Sequence, residues 1–372
     1  MSRFIRTLSM AFICGSSLLS TTRVVEAQSG ADKRFLLKTS LQAEAKPVQE
    51  VLKELCEKHK LPVEFDPAVA AEAAGETPFS LTADGLTLGS AIHLVCESAR
   101  LVSFIEKGRL MVTTREADAS NPITRDYALN LVGPIADVQV FAQGLMEVTS
   151  GPWEDVDGEG GDVVAISPRS LSIRQSRVMH AELQSLFEQL AVATTGRAQP
   201  PTVQDRAEQV LFRKLQTPVS LPAGAVALPE LLDQLLKKNG LSYWVDADAL
   251  GEEGLVWTTS MVTPDAKKMS IAARLDAALS GLRLSWRVAD EVVQITTKSR
   301  ASEALFTRVY DVRRRIAPNQ PLEAVALQLQ NNKELGPWGI VDGEGGSLME
   351  LRSLLVIRHS AATHSKLVVI LK

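Results

Sequence analysis

The sequence predicts an α+β protein made of two tandem copies of a two-module unit. The first observation behind this prediction is a repeated loop: Gly-Pro-Trp-Glu-Asp-Val-Asp-Gly-Glu-Gly-Gly at 151–161 returns as Gly-Pro-Trp-Gly-Ile-Val-Asp-Gly-Glu-Gly-Gly at 336–346, a shift of 185 residues. The flanking Thr-Arg-Asp-Tyr at 124–127 likewise returns as Thr-Arg-Val-Tyr at 307–310. A nearly constant shift over several segments indicates a duplication. The second observation is that helical and strand periodicities follow one another in the same order in both copies, which predicts a mixed fold.

The first predicted module, residues 34–116, alternates short strands with two amphipathic helices. Pro47 suits the first turn of a helix, because the N–H that proline lacks would have no partner there. Pro62 ends this helix. The predicted elements in order are a strand at 35–41, a helix with apolar residues from Val48 to Cys56, strands at 63–66 and 79–81, a helix over 88–96, and a hairpin of 101–105 with 110–114.

The third module, residues 206–299, repeats this order after a linker at 194–205. Gly196, Pro200 and Pro201 break regular structure in the linker. The predicted elements are a helix over 228–236, a strand at 241–246, a helix over 271–279, and a hairpin of 284–288 with 292–297.

The second and fourth modules, residues 120–193 and 303–372, are simpler. Each is predicted to contain a strand, a helix, the tryptophan-bearing loop, two strands and a final helix. Ser176 and Ser360 stand at the expected N-cap positions of the two final helices, where a hydroxyl oxygen can accept from a free backbone N–H.

The N-terminus, residues 1–27, has the pattern of a secretory signal peptide. Arg3 and Arg6 precede a short apolar stretch, and Val25-Glu26-Ala27 fits a small-residue cleavage site. No apolar run after it approaches the roughly 20 residues that a membrane-spanning helix needs. The formal net charge is −4 and no basic block is present, which argues against nucleic acid as a partner. The sequence therefore predicts an exported protein that is periplasmic or secreted.

Cys56 and Cys96 are the two cysteines that follow the predicted signal peptide. One disulfide between them is an option in an oxidising compartment. The favoured interpretation is two buried thiols, because both lie on apolar helical faces where the second copy has Leu236 and Leu279.

Two motifs resemble a known family. Val-Leu-Lys-Glu-Leu at 51–55 with Leu-Pro-Val-Glu-Phe-Asp at 61–66, and Leu-Leu-Asp-Gln-Leu at 231–235 with Gly-Leu-Ser-Tyr-Trp-Val-Asp at 240–246, resemble the short N-terminal domain of secretins and TonB-dependent receptors. The second and fourth modules look like the compact strand–helix–strand–strand–helix domains that follow it in secretins. The resemblance implies modules that bind partner proteins and pack side by side in the cell envelope. No pore or barrel domain follows, so the secretion or uptake role of that family is not carried over.

The repeated acidic loop is the strongest candidate for metal chemistry. Asp155, Asp157 and Glu159 alternate as at the start of a calcium loop. Ile166 occupies the twelfth position, where a bidentate carboxylate is needed, and Ile340 replaces the first ligand in the second copy. The favoured interpretation is therefore a tight polar connection in which glycine supplies positive φ, with no metal and no cofactor.

Trp153 and Trp338 follow Gly-Pro in both loops and have two interpretations. A ring held by a rigid loop can anchor a partner. It can equally close the open end of a small core, which is favoured because small modules need the buried area. The candidate contact residues for a partner or ligand are Trp153, Asp157, Glu159, Trp338, Asp342 and Glu344.

His180 and His364 lie four residues after Ser176 and Ser360, which invites a hydrolase interpretation. The capping role occupies each serine oxygen, and no acidic residue is placed to orient either histidine. Both histidines are expected on solvated helix surfaces. No catalytic residue is predicted.

The function predicted from these observations is that of an exported, soluble, non-enzymatic protein that binds a protein partner in the cell envelope. Two alternatives stay open. One is a homo-oligomeric ring or assembly subunit. The other is a carbohydrate- or calcium-binding module, or an enzyme, that uses the acidic tryptophan loops.

Overall fold

The computed structural model describes most of the chain beyond the predicted signal peptide, residues 1–27, which lies outside the described residues. Most of the predicted linker at 194–205 also lies outside them. No helix within the described residues combines the length and apolar character needed to cross a bilayer. The described ranges are 33–132, 135–195, 206–221, 224–264, 267–314 and 320–371.

Module 1 combines a two-stranded antiparallel ribbon of β1 and β3 with a three-stranded sheet in the order β2-β5-β4, in which β2 and β5 run parallel. The predicted start of the first strand was wrong: Lys33–Leu36 is a 3₁₀ turn, and β1 runs to Pro47 because Thr39, Leu41 and Ala43 alternate inward. The elements are β1 (Lys38–Pro47), α1 (Val48–Lys58), β2 (Val63–Phe65), α2 (Pro67–Ala71), β3 (Pro78–Thr87), α3 (Leu88–Ser98), β4 (Leu101–Glu106), β5 (Arg109–Thr114) and α4 (Arg115–Ser120).

Two short helices of module 1, α2 and α4, were not predicted. Asp66 begins α2 by accepting from the N–H of Ala68, and Thr114 begins α4 by accepting from the N–H of Ala117. Both are N-cap residues of the ordinary kind, so their side chains carried a signal that the apolar periodicity of five- and six-residue helices is too short to show.

Module 2 places two helices against one face of a three-stranded antiparallel sheet in the order β6-β8-β7. The predicted cap of the final helix is confirmed, since Ser176 Oγ accepts from the N–H of Met179 at 3.2 Å. The elements are β6 (Ile123–Ala128), α5 (Val138–Glu147), α6 (Glu154–Asp157), β7 (Asp162–Ser167), β8 (Ser170–Gln175) and α7 (Arg177–Thr195).

Module 3 has the same sheet order as module 1, with β11-β15-β14 again containing one parallel pair, and its ribbon is divided into the pairs β9–β13 and β10–β12. A first helix, α8, precedes the predicted elements. The elements are α8 (Arg206–Leu215), β9 (Pro218–Val219), β10 (Val226–Ala227), α9 (Leu228–Leu235), β11 (Tyr243–Val245), α10 (Ala247–Glu252), β12 (Met261–Val262), β13 (Met269–Ser270), α11 (Ile271–Ser280), β14 (Leu284–Ala289), β15 (Val292–Thr297) and α12 (Lys298–Glu303).

Module 4 repeats the sheet of module 2 in the order β16-β18-β17. Ser360 caps the final helix by accepting from the N–H of Thr363 at 3.4 Å, as predicted. The mixture of helices with small sheets in all four segments confirms the α+β fold class. The elements are β16 (Leu305–Asp311), α13 (Leu322–Gln330), α14 (Gly339–Asp342), β17 (Ser347–Leu351), β18 (Leu354–Ser360) and α15 (Ala361–Ile370).

Corresponding segments of the two predicted copies pack against each other. Helices α5 and α7 of module 2 lie on the face of the module 4 sheet that its own helices leave open, and Met349, Val309 and Val356 of that sheet join the module 2 core. Gly144 of α5 allows the close approach: a Cβ built there would lie 2.4 Å from Met349 Sδ. Trp244 and Val292 of module 3 likewise join the core of module 1, where β11 contacts β3.

Cys56 and Cys96 are free and buried, and the disulfide alternative is not what the structure shows. Burial raises the pKa of the Cys56 thiol to about 11 and that of Cys96 to about 12. Both thiols therefore stay protonated and unreactive at neutral pH while the protein is folded.

Candidate functional site

The two tryptophan loops, residues 151–161 and 336–346, are built alike. Each begins with Gly-Pro-Trp, makes a one-turn helix, α6 or α14, and returns through glycines to a strand. Trp153 and Trp338 are each only 1% exposed, so both rings fill the core under their loop. An exposed ring, which would have favoured a partner anchor, is not what the structure shows at either position.

An aspartate closes each loop from within. Asp157 Oδ2 accepts from the backbone N–H of Trp153 at 2.7 Å, and Asp342 Oδ2 accepts from that of Trp338 at 2.8 Å. The N–H of Gly161 donates to the carbonyl of Pro152 at 3.1 Å, which ties the two ends of the first loop together. These carboxylates therefore hold their own loops in shape, although both side chains lie at the surface.

A residue at the end of the last strand of modules 2 and 4, Gln175 in β8 and His359 in β18, supports the neighbouring loop with different chemistry in the two copies. Gln175 donates through Nε2 to the carbonyl of Pro152 at 2.6 Å and accepts through Oε1 from the N–H of Ser176 at 2.6 Å. In the second copy His359 takes this place, and its Nδ1 accepts from the N–H of Ser360 at 2.8 Å. The His359 ring also meets Trp338 edge to face, with 4.8 Å between ring centroids.

The loop tips expose aliphatic side chains that the sequence analysis did not select. Ile340 is 80% exposed and Val341 is 52% exposed in the second loop, and Val156 is 60% exposed in the first. Glu159 and Glu344 are exposed close by in sequence. The signal was present in the sequence, because an isoleucine and a valine inside an acidic glycine-rich turn have no core to enter.

The described residues hold no group of three or more histidine, cysteine, aspartate or glutamate side chains arranged to bind a metal ion. Asp157, the central carboxylate of the pattern that resembles the start of a calcium loop, already accepts from the backbone N–H of Trp153. Among the surface depressions of the described chain, a groove of about 360 Å³ beside α1 is lined by residues such as Glu54, Lys58 and Asp84, away from both tryptophan loops.

The prediction of solvated histidines at 180 and 364 was wrong. Each ring is buried and lies between a tyrosine and a backbone carbonyl: Tyr127 Oη is 2.7 Å from His180 Nδ1, and His180 Nε2 is 2.9 Å from the carbonyl oxygen of Ile123. The second copy repeats the arrangement: Tyr310 Oη is 2.7 Å from His364 Nδ1, and His364 Nε2 is 2.7 Å from the carbonyl oxygen of Phe306. Because a carbonyl only accepts, Nε2 must carry the proton and Nδ1 accepts from the tyrosine hydroxyl.

Because these histidines are buried, we expect the protein to lose stability in mild acid. Burial lowers the pKa of His364 to about 3 and that of His359 to about 4, and it also lowers the pKa of His180. Each imidazole is therefore more easily protonated in the unfolded chain, so its contribution is complete above pH ~6.5 and is lost as the pH falls toward the folded pKa. Denaturant unfolding measured at pH 7 and pH 5 should show that His364 alone lowers the free energy of unfolding by about 2 kcal/mol at pH 5.

A matched variant separates this effect from general acid unfolding. His364→Gln removes the titrating group, so the difference in unfolding free energy between pH 7 and pH 5 should shrink by about the same 2 kcal/mol. An unchanged difference would show that His364 does not titrate as its buried position requires.

No family model matches the chain, and no curated protein matches it. The solved structures that resemble it include N-terminal domains of secretins. One is described as the structure of XcpQN012, with 13% identity over 47% of this chain and 77% of that one and a TM-score of 0.16. Another is the GspC–GspD complex of the type II secretion system of enterotoxigenic Escherichia coli, with 8% identity over 42% and 99% of the two chains and a TM-score of 0.16.

A third similar structure is the N-terminal domain of the secretin XcpQ from Pseudomonas aeruginosa. It shares 11% identity over 66% of this chain and 96% of that one, with a TM-score of 0.15. At such scores the likeness carries no argument about arrangement or function.

Proposed function

We propose that the protein is an exported, non-enzymatic interaction protein that binds a protein partner in the cell envelope through the tips of its tryptophan loops. The observation that carries the proposal is the exposure of Ile340, at 80%, on a loop whose base is fixed by the buried Trp338. Exposed aliphatic side chains are costly in water and gain free energy when a partner covers them. A loop already held in one shape loses little conformational entropy on binding.

The acidic residues around the tips fit the rim of such a contact. Asp342 and Glu344 lie beside Ile340 and Val341 in the second loop, and Asp157 and Glu159 lie beside Val156 in the first. Rim charges mainly guide encounter and specificity, while the apolar centre provides affinity. The partner surface should therefore offer an apolar depression with basic residues around it.

The differences between the tips favour different contacts for the two copies. Ile340 stands where the first loop has Asp155, so the second tip is the more apolar one. The division of the chain into modules 34–116, 120–193, 206–299 and 303–372 belongs to this proposal. Each loop then belongs to the smaller module of its copy, and both are presented by one scaffold.

The test is photo-crosslinking in the native host, with a photoreactive amino acid placed at position 340, at position 156, or at the exposed Glu252 of α10 as a control. The proposal expects a discrete adduct from position 340 that the control does not give. Absence of any adduct from both tips would contradict it. So would an identical adduct from position 252.

Once the partner is captured, Ile340→Asp with Val341→Asp should weaken its binding by about 30-fold or more, because apolar anchors at the centre of an interface are commonly worth about 2 kcal/mol or more. The matched control is Val156→Asp, which alters the other tip. Unchanged affinity in the double variant, with an intact fold, would exclude the second tip as the anchor.

A further inference from the structure

The contact between module 2 and module 4 is a head-to-tail contact, in which the helices of module 2 lie on the open sheet face of module 4. Besides the shared core, Ser347 Oγ donates to the carbonyl of Glu147 at 2.6 Å, and Arg313 donates through Nη2 to the carbonyl of Ala193 at 3.2 Å. A head-to-tail contact does not close on itself, so a molecule with a free sheet at one end and free helices at the other can in principle add further copies.

Strand register identifies the free sheet face in the first copy. In module 4, Val356 of the central strand pairs with Val309 on one side and Met349 on the other. The corresponding residues of module 2 are Ser172 in the centre, with Asp126 and Val164 on either side. Two of these three positions, which are among the five apolar residues of module 4 that join the module 2 core, are thus polar on the free face. The hydroxyl of Ser172 donates to Asp126 Oδ1 at 2.7 Å there.

Modules 1 and 3 show the same change. Trp244 and Val292 of module 3 are buried against module 1. The register places Glu64 and Arg109 at these positions in module 1. Both side chains are exposed there and form an ion pair, with 3.2 Å between Arg109 Nη1 and Glu64 Oε2. Covering either free face with a second molecule would remove water from charged groups, which is costly without new partners.

The helix side of the contact has changed as well. Glu182 of α7, six residues after its capping serine, accepts from the Ser150 hydroxyl and interacts with the positive charge of Arg358 on the module 4 sheet. The residue six positions after Ser360 is Lys366, and the residue of module 2 at the Arg358 position is Arg174. A second molecule added in the same manner would bring Lys366 toward Arg174, which already pairs with Asp162 at 2.8 Å, so two cations would replace the opposite charges of Glu182 and Arg358.

We propose that this stacking is self-limiting: the chain makes the helix-on-sheet contact once, within one molecule, and Asp126, Ser172 and Lys366 prevent a second copy from adding at either end. The sheet face of module 4 fits the helices of module 2 in its own chain, whereas the equivalent face of module 2 is a solvent face. Terminal units of stacked repeats generally need such polar outer faces to stay soluble. Self-limited stacking does not depend on whether the loop tips bind a partner.

The first test restores the covered pattern with the triple variant Asp126→Val, Ser172→Val and Lys366→Glu. Light scattering over a concentration series should give the mass of one chain for the unaltered protein at every concentration. The triple variant should give a mass that rises with concentration. The control, with Asp126→Val and Ser172→Val but Lys366 retained, should need about tenfold more protein for the same rise, since one like-charge contact of ~1.4 kcal/mol remains. A folded triple variant that stays a single chain throughout would overturn the proposal.

A second test leaves Asp126, Ser172 and Lys366 unchanged. Gln328 of α13 stands where α5 has Gly144, and Val164 stands where β17 has Met349. Gln328→Cys with Val164→Cys should give no more disulfide-linked dimer on mild oxidation than either single cysteine variant does. Efficient formation of linked chains in the double variant would show that molecules do stack end to end, and would refute self-limitation.

Discussion

Replacing Trp153 or Trp338 with alanine is expected to lower the free energy of unfolding by about 3–5 kcal/mol, the usual cost of emptying a buried aromatic site. Both rings are 1% exposed and lie in the cores of modules 2 and 4. Denaturant unfolding followed by circular dichroism measures the loss. A cost below about 1 kcal/mol at both positions would show that the rings do not hold the loops in place.

Phenylalanine at the same positions should separate the two copies. Trp153 donates through Nε1 to Thr149 Oγ1 at 3.1 Å, whereas Trp338 Nε1 is buried without a hydrogen-bond partner among the described residues. Trp153→Phe loses a hydrogen bond, while Trp338→Phe removes a donor whose burial is itself unfavourable. Trp338→Phe should therefore be less costly by about 1–2 kcal/mol. Equal costs would contradict the difference in pairing.

The second large effect is expected from Gly160→Ala. Gly160 has φ +105°, and a Cβ built there would lie 2.3 Å from the carbonyl oxygen of Pro152, a backbone atom that cannot turn aside. Strain and overlap together should cost about 3 kcal/mol or more. Gly158→Ala is the matched control, because Gly158 also has a positive φ of +78° but nothing within 4 Å of its Cβ position.

The control should cost only about 1 kcal/mol, the penalty of a left-handed alanine without a clash. Gly345 and Gly343 form the same pair in the second loop, with φ +104° and +81°. Their alanine variants should show the same order. If Gly158→Ala cost as much as Gly160→Ala, the close passage of the chain past Pro152 would not be what requires glycine.

Much of the fold could be predicted from local patterns. The signals for α1 and α9 are the spacing of their apolar residues, and those for the final helices are the caps Ser176 and Ser360. Each signal lies within a few residues of the helix that it specifies, so sequence spacing alone reveals it. The repeated glycines of the loops predicted positive φ for the same reason. Both Gly158 and Gly160 have it.

What escaped prediction depends on contacts between distant segments. His180 was expected in solvent because its partners, Tyr127 and Ile123, lie on a strand more than fifty residues earlier. The tyrosine does recur in both copies, which was a usable signal. The packing of Gly144 against Met349 has no such signal, since neither residue type alone indicates a contact between copies.

The most direct test of the two-copy stack is a disulfide between Gly144→Cys and Met349→Cys. A Cβ at position 144 would lie 3.4 Å from Met349 Cβ, close to the roughly 3.5–4.5 Å that a disulfide spans. Mild oxidation should give a linked protein with the mass of one chain, and each single variant should stay reduced. Cys56 and Cys96 are buried and do not compete. Failure to form the bond, or linkage only between separate chains, would contradict the stacking of module 2 on module 4 within one molecule.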